Sequence, residues 1–148
     1  MMKGKQFIGA FLLSAVSSFS FAEGIIGLWQ SIDDKTGAPK GLVEIRKEND
    51  TYVGKIVKVT PRAGYTPKET CVDCPAPYTN KPIIGLDVVT GLKSTDGLNY
   101  TSGRILDPNT GKLYSMKAKL SSNGKRLHLR GYLGISALGR NQIWIRAE

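Results

Sequence analysis

The chain has 148 residues, and its 21 Lys and Arg against 12 Asp and Glu give a formal net charge of +9. This length suits one domain, and 41% hydrophobic with 22% charged residues is typical of a globular protein rather than a disordered one. Two Cys and one His exclude a disulfide-dense miniprotein and leave few ligands for a metalloenzyme. We therefore expect no metal site and no cofactor.

The first 22 residues have the three parts of a secretory signal peptide. Lys3 and Lys5 give a positive start, an apolar stretch follows over 7–16, and small residues fill 17–22. An uncleaved anchor or a buried helix is the alternative interpretation. The sequence predicts cleavage near Ala22-Glu23, which leaves residues 23–148 as one mature domain in the periplasm or outside the cell.

Neither the apolar stretch nor any later segment is long enough to span a membrane, so we expect that the protein does not span one. Cleavage removes two lysines and leaves 19 basic against 12 acidic residues, a net charge of +7. An exported protein rarely meets nucleic acid, and none is expected as a partner. The surplus favours an anionic envelope component or solubility alone, since the basic residues are dispersed along the chain.

The mature chain shows strand after strand, separated by turn residues. Several segments are rich in β-branched and aromatic residues, and Asp-Gly, Asn-Gly and Thr-Gly turns lie between them. The predicted strands are Leu28–Asp33, Leu42–Glu48, Tyr52–Thr60, Ile83–Leu92, Tyr100–Leu106, Lys112–Leu120, Arg126–Leu133 and Gln142–Arg146. One short segment, Gly134–Leu138, suits a single helical turn.

Eight strands joined mostly by hairpins predict an all-β, up-and-down antiparallel barrel. Closure removes the two exposed sheet edges, and an eight-stranded barrel either fills with side chains or holds one small ligand. An open β-sandwich of the same strands is the structural alternative.

Alternation along the strands gives a partial map of the lumen. The apolar positions of three strands are expected to face inward, which leaves His128 on the solvent side. Reversed faces are the alternative and would place Glu44, Arg130 and Tyr132 in the lumen. The candidate ligand-binding residues from these two interpretations are Val43, Ile45, Tyr114, Met116, Leu127, Leu129, Arg130 and Tyr132.

Residues 61–82 form a Pro-rich insertion without alternation, as expected of a lid, a binding loop or a flap. Cys71 and Cys74 lie within it, and outside the cytoplasm we expect them to form a disulfide. A redox-active pair is less favoured because no helix follows to stabilise a thiolate, and a zinc half-site lacks further ligands.

No catalytic constellation is evident, and we expect no enzyme activity. A nucleophilic triad would depend on His128, which has no partner motif. Asn109-Thr110-Gly111-Lys112 lacks the strand-loop-helix context of a phosphate loop. Asp33 and Asp107 each precede a Thr-Gly turn, where an Asp side chain accepts local backbone hydrogen bonds.

Two motifs lie at the ends of the mature chain. Gly27-Leu28-Trp29 opens the first strand and Trp144-Ile145-Arg146 closes the last, which resembles the calycin superfamily of lipocalins, fatty-acid-binding proteins and avidins. The first and last strands of a closed barrel are neighbours, so an Arg can stack on the indole of the Trp. The resemblance implies that Trp29 and Arg146 close the barrel structurally.

A closer resemblance spans nearly the whole mature chain. The motifs, in order, are Gly-Leu-Trp at 27–29, Thr-Gly-Ala-Pro-Lys at 36–40, Tyr-Val-Gly-Lys-Ile at 52–56, Cys-x-x-Cys at 71–74, Lys-Pro-Ile-Ile-Gly-Leu at 81–86, Gly-Arg-Ile-Leu-Asp-Pro at 103–108, Thr-Gly-Lys-Leu-Tyr at 110–114, Arg-Gly-Tyr-Leu-Gly-Ile-Ser at 130–136, Leu-Gly-Arg at 138–140 and Trp-Ile-Arg at 144–146. This pattern is similar to the exported bacterial domain-of-unknown-function family 2147. The resemblance implies a lipocalin-like barrel in the periplasm and brings no assigned activity.

Two functions are therefore expected. The first is an exported, lipocalin-like protein that binds a small, partly apolar or amphipathic ligand in the barrel lumen. The alternative is an envelope interaction protein with a filled barrel, which binds an anionic polymer, a lipid headgroup or a partner protein through its basic surface.

Overall fold

The computed structural model describes residues 24–147, so the predicted signal peptide lies outside the described residues. The described chain forms eight strands and one single-turn 3-10 helix, which lies between the last two strands. The strands are β1 Gly27–Ile32, β2 Pro39–Glu48, β3 Thr51–Val59, β4 Asp87–Ser94, β5 Asn99–Leu106, β6 Leu113–Leu120, β7 Arg126–Tyr132 and β8 Arg140–Arg146. The 3-10 helix is Ser136–Leu138, inside the segment expected to turn.

The strands follow one another around a closed antiparallel barrel. β1 completes the circle by pairing with β8, and Trp29 lies opposite Arg146 in that pairing. The predicted eight-stranded up-and-down barrel is confirmed, and the open sandwich is wrong because closure leaves neither terminal strand with a free edge. Within residues 24–147 no helix has the length and apolar character needed to cross a bilayer.

The largest boundary difference lies at β4, which begins at Asp87 rather than at Ile83. Ile83 and Leu86 are buried at the end of the preceding loop. Their apolar side chains led to the prediction of a strand that begins too early. Gly85 has a φ of +95°, a left-handed conformation that interrupts an extended strand. The loop between β3 and β4 therefore covers residues 60–86, and we call it the 60–86 loop.

The two ends of the barrel differ because hairpin connections alternate between them. The turns after β2, β4 and β6 lie at one end together with the chain ends at Gly24 and Ala147; we call this the closed end. The turns after β1, β5 and β7 and the 60–86 loop lie at the opposite end, the open end. Buried Trp29, Leu92, Tyr100 and Leu127 pack the interior toward the closed end.

The alternation predicted the orientation of most strands. Val43, Met116 and Leu129 are buried as expected of inward positions, and His128 is exposed. The reversed arrangement is wrong for Glu44, which is exposed on β2. The alternation on β7 does not extend to Leu133, because the strand ends at Tyr132 and Leu133 is 55% exposed.

Candidate ligand-binding cavity

A cavity of about 350 Å³ occupies the open half of the barrel. Its wall is built by inward residues of all eight strands, and its mouth by the loops of the open end. The apolar side chains of the wall include Val43, Ile56, Val59, Val88, Ile105, Leu106, Met116, Leu129 and Trp144. A concave, mostly apolar space of this size is typical of a site for a small molecule.

Five of the eight candidate ligand-binding residues lie around this cavity. Val43, Met116 and Leu129 belong to its buried wall, and Tyr114 and Tyr132 are half-buried beside it. The wall also includes Ser31, Ile56, Val88, Ile105 and Trp144, which sequence reasoning missed. The inward residues of β8 and β4 were missed because alternation is weak there. Ile143-Trp144-Ile145 has apolar residues on both faces of the strand, and β4 lies in a nearly continuous apolar run.

The other three candidates do not line the cavity. Ile45 and Leu127 are buried deeper toward the closed end, where they pack the barrel interior. Arg130 instead supports the connection between β7 and β8, since its guanidinium donates hydrogen bonds to the carbonyls of Ser136 and Ala137 and to Asn141 Oδ1. The alternation of polarity along a strand indicates which residues face inward, but it does not indicate how deep in the barrel they lie.

Trp29 and Arg146 close the opposite end. The guanidinium carbon of Arg146 lies 4.4 Å from the centroid of the Trp29 ring. Arg146 also donates hydrogen bonds to the carbonyl oxygens of Gly24, Ile26 and Gly124, at 2.7 to 3.0 Å. Burial lowers the pKa of Arg146 from its ordinary value, because the charged form loses hydration.

Gly27 makes room for this arginine. Its φ is +135°, and a Cβ atom there would lie 2.8 Å from Arg146 Nη1. The glycine of the Gly-x-Trp motif is therefore required by its conformation and by the approach of the guanidinium.

The 60–86 loop reaches over the mouth of the cavity. Arg62, Tyr65, Lys68 and Ile83 of this loop line the cavity. Tyr65 donates a hydrogen bond to Asn109 Oδ1 at 3.0 Å, and Lys68 Nζ donates to the backbone oxygen of Asn109 at 2.9 Å. The loop is thereby attached to the turn between β5 and β6.

A second contact joins the same two segments. Gly111, in the turn after β5, has a φ of +79°, and a Cβ atom there would overlap the carbonyl oxygen of Asp73. Cys71 and Cys74 lie at disulfide distance with Cα atoms 5.4 Å apart. Both cysteines are buried, at 0% and 5% exposure, so they face the core and not the solvent.

The mouth carries five basic residues and one acidic residue among those that line the cavity. The basic residues are Lys40, Lys58, Arg62, Lys68 and Arg140. The acidic residue is Asp107, whose Oδ1 accepts the backbone N–H of Asn109 within its own turn at 2.9 Å. The cavity therefore has an apolar wall beneath a positively charged rim.

One polar atom of the buried wall has no partner. Trp144 is 3% exposed, and within residues 24–147 its indole N–H finds no acceptor. An unsatisfied buried donor costs about 1–3 kcal/mol, so a water molecule or a ligand atom beside the wall is the natural acceptor.

The described residues contain no group of three or more His, Cys, Asp or Glu side chains arranged to hold a metal ion. Asp33 and Asp107 instead accept backbone hydrogen bonds in two turns of the same form. The arrangement suits binding of a molecule by apolar burial and by positive charge.

The comparisons with known proteins agree with this architecture. The chain is similar in fold to protein HP1028 from Helicobacter pylori, which is described as belonging to the lipocalin family. That match has a TM-score of 0.70 and 20% sequence identity, and it covers 84% of this chain and 83% of that one. No curated protein matches the sequence. A family model described as an uncharacterized protein conserved in bacteria, DUF2147, matches residues 27–146, and the chain belongs to this family.

Proposed function

We propose that this protein binds a small, partly apolar ligand in the cavity at the open end of its barrel, and that it does so as a non-enzymatic protein in the periplasm or outside the cell. The observation that supports binding is the cavity itself, about 350 Å³ with a wall of aliphatic and aromatic side chains. The predicted signal peptide and the buried Cys71–Cys74 pair support export. Cell fractionation of the full-length chain tests the location.

Gly131 offers a direct way to fill the cavity. It lines the cavity, and a Cβ atom at this position would point toward Tyr114 and Ile105, with its nearest neighbours at 3.7 Å or beyond. Replacement by Ala therefore fits ordinary van der Waals contact, whereas the benzyl group of Phe would extend into the empty space. Comparison of the two variants distinguishes the effect of a smaller cavity volume from the effect of replacing the glycine itself.

The experiment is a fluorescence titration with the neutral apolar probe N-phenyl-1-naphthylamine. We expect saturable one-to-one binding by the unaltered protein and by Gly131→Ala, and at least tenfold weaker binding by Gly131→Phe. Thermal unfolding of each variant checks that the barrel remains folded. Equal binding by the Phe variant, or no binding by the unaltered protein, contradicts the proposal.

A second candidate function is favoured by the outer face of β5–β8. These four strands contain no Asp or Glu. Lys117 pairs directly with Arg130, although like charges at directly opposite positions are destabilising, and Lys119 pairs with His128. Basic residues that are dispersed in the sequence are thus gathered on one sheet face, which suits an anionic surface such as lipid headgroups.

Sedimentation with vesicles tests this second candidate. We expect binding to phosphatidylglycerol vesicles but not to phosphatidylcholine vesicles, with a loss of binding between low and moderate salt. A Lys117→Gln/Lys119→Gln variant should bind less. A Lys35→Gln/Lys81→Gln variant, which loses the same charge from exposed loops, is the control. Equal binding by both variants contradicts a role for this face.

A further inference from the structure

The five basic residues of the mouth come from separate parts of the chain. Lys40 lies at the start of β2, Lys58 at the end of β3, Arg62 and Lys68 in the 60–86 loop, and Arg140 at the start of β8. Barrel closure brings these elements to one rim. Since the sheet faces beneath them are apolar, the positive charge is concentrated at one end of the cavity.

Two of these cations have acidic partners. Lys68 Nζ lies 3.1 Å from Asp73 Oδ2, and Arg140 Nη2 lies 3.4 Å from Asp34 Oδ2. The other three, Lys40, Lys58 and Arg62, have no carboxylate within salt-bridge distance in the described part of the chain. Arg62 instead stacks on Tyr65, with its guanidinium carbon 4.3 Å from the ring centroid.

Neither Asp107 at the mouth nor Asp33 in the β1–β2 turn forms a salt bridge with Lys40, Lys58 or Arg62 within residues 24–147. Asp33 Oδ1 accepts the backbone N–H groups of Lys35 and Thr36, which are the main reason that its pKa is lowered. The charges of Arg62 and Lys40 lower the pKa of Asp33 further, so both cations lie near the β1–β2 turn. Asp33 is used within its own turn and does not line the cavity.

We propose that the ligand is a single-chain amphiphile with an anionic head group, whose chain enters the apolar cavity while Lys40, Lys58 and Arg62 bind the head group at the mouth. This inference rests on the proposed function and adds the charge and orientation of the ligand. A carboxylate, a sulfate or a phosphate supplies the same chemistry, because each accepts charge-assisted hydrogen bonds from ammonium and guanidinium groups.

The cavity also limits the length of the chain. A volume of about 350 Å³ holds roughly a dozen groups the size of a water molecule. A chain of about ten to twelve carbons therefore suits the space, and burial of its methylene groups supplies the apolar part of the affinity. Longer chains would extend past the rim into solvent.

The test compares four twelve-carbon probes below their micellar concentrations. These are dodecanoate, dodecyl phosphate, dodecan-1-ol and dodecyltrimethylammonium, titrated against the protein by calorimetry and by its tryptophan emission, to which Trp29 and Trp144 both contribute. We expect one or both anionic probes to bind about tenfold more tightly than the alcohol at low salt, and the cationic probe to bind least. Preference for dodecanoate or for dodecyl phosphate identifies the head-group class.

Charge variants locate the head-group contact. Arg62→Gln and, separately, the exposed Lys58→Gln should each weaken the preferred anionic probe about three- to tenfold and change dodecan-1-ol less than twofold. Lys93→Gln, at an exposed position on the outside of β4, removes the same charge without touching the mouth or the basic face of β5–β8 and should leave every affinity unchanged.

The possible results distinguish failure of the head-group inference from failure of the proposed ligand-binding function. If dodecan-1-ol binds as tightly as both anions while N-phenyl-1-naphthylamine binds in the cavity, the head-group inference is overturned and the proposed function stands. If Lys93→Gln weakens the binding of the anions as much as Arg62→Gln does, the contact is not at the mouth and the inference is overturned. If none of the probes binds, the proposed function fails together with the inference.

Discussion

Arg146 lies over Trp29 with 4.4 Å between the guanidinium carbon and the centroid of the indole ring. Three backbone carbonyls accept hydrogen bonds from the same guanidinium, and Trp29 Nε1 donates to the carbonyl oxygen of Ile25 at 2.9 Å. The contact joins β1, β8, the turn before β7 and the start of the described chain. It closes one end of the barrel, and the cavity lies at the other end.

Substitution of Arg146 by Lys should destabilise the barrel by about 2–4 kcal/mol. Lysine keeps the charge but cannot donate to three carbonyls from one planar group or stack in the same way on the indole. The measurement is the free energy of unfolding from urea denaturation. Arg126→Lys, at an exposed position, is the control and should change stability by no more than about 0.5 kcal/mol. Equal stability of both variants contradicts the closing role.

Gly111 and Gly37 allow a matched test of the loop attachment. Both end turns of the form Asp-x-x-Thr-Gly, and each donates its backbone N–H to the carbonyl of the turn Asp at 2.8 Å. Their φ values are +79° and +75°, but a Cβ atom would overlap Asp73 only at Gly111 and meets nothing within 4 Å at Gly37.

The two alanine variants should therefore differ. Gly37→Ala should lose about 1–2 kcal/mol through backbone strain alone, whereas Gly111→Ala should lose roughly twice as much. The 60–86 loop should also become more sensitive to proteolysis in Gly111→Ala only. Urea denaturation and limited proteolysis check both points, and indistinguishable variants would show that the loop is not held by this contact.

Asp96 makes the barrel sensitive to acid. Its carboxylate accepts the backbone N–H of Asn99 and of Leu98 and the side-chain amide of Asn99, which lower its pKa from 3.8 to about 2. A depressed folded-state pKa stabilises the protein above the unfolded value, and this stabilisation is lost as the pH falls from about 4 toward 2.

Asp96→Asn should therefore lose less unfolding free energy between pH 4 and pH 2 than the unaltered protein does. Asp50→Asn is the control, because the Asp50 carboxylate accepts no hydrogen bond from residues 24–147 and lies in another exposed turn. Denaturation curves at the two pH values give the comparison. A pH dependence that is the same in Asp96→Asn and in the unaltered protein contradicts this assignment.

Cys71 and Cys74 should be oxidised in protein isolated from the bacterial envelope. Thiol titration under denaturing conditions should find no free thiol before reduction and two after it. Closure of so short a loop contributes about 2 kcal/mol by chain entropy, so reduction should weaken the 60–86 loop without unfolding the barrel. Two free thiols in the unreduced sample contradict the disulfide.

The sequence predicted the architecture because most strands are bounded by strong turn residues and alternate in polarity. Glu44 and Val43, or Lys117 and Met116, differ clearly, and such contrasts set the inward face. The prediction was wrong where contrast is absent. Ile83–Leu86 is apolar because the end of a loop is buried against the barrel, and local sequence does not distinguish this from a strand.

The cavity wall was predicted in part, and the charged mouth was not predicted. Lys40, Lys58 and Arg140 are far apart in sequence and show no shared motif. They meet because antiparallel strands place the start of β2 and β8 and the end of β3 at one rim. Arg62 and Lys68 join them through the path of the 60–86 loop, which alternation does not describe.

Native mass spectrometry tests the central claim most directly. The protein and its Gly131→Phe variant would be purified from a bacterial host without detergent and sprayed under gentle conditions. We predict that the unaltered protein carries an additional small molecule that organic extraction removes, and that the variant carries none. A folded, unaltered protein with only its own mass, which also fails to take up N-phenyl-1-naphthylamine, would contradict the account of a ligand-binding barrel.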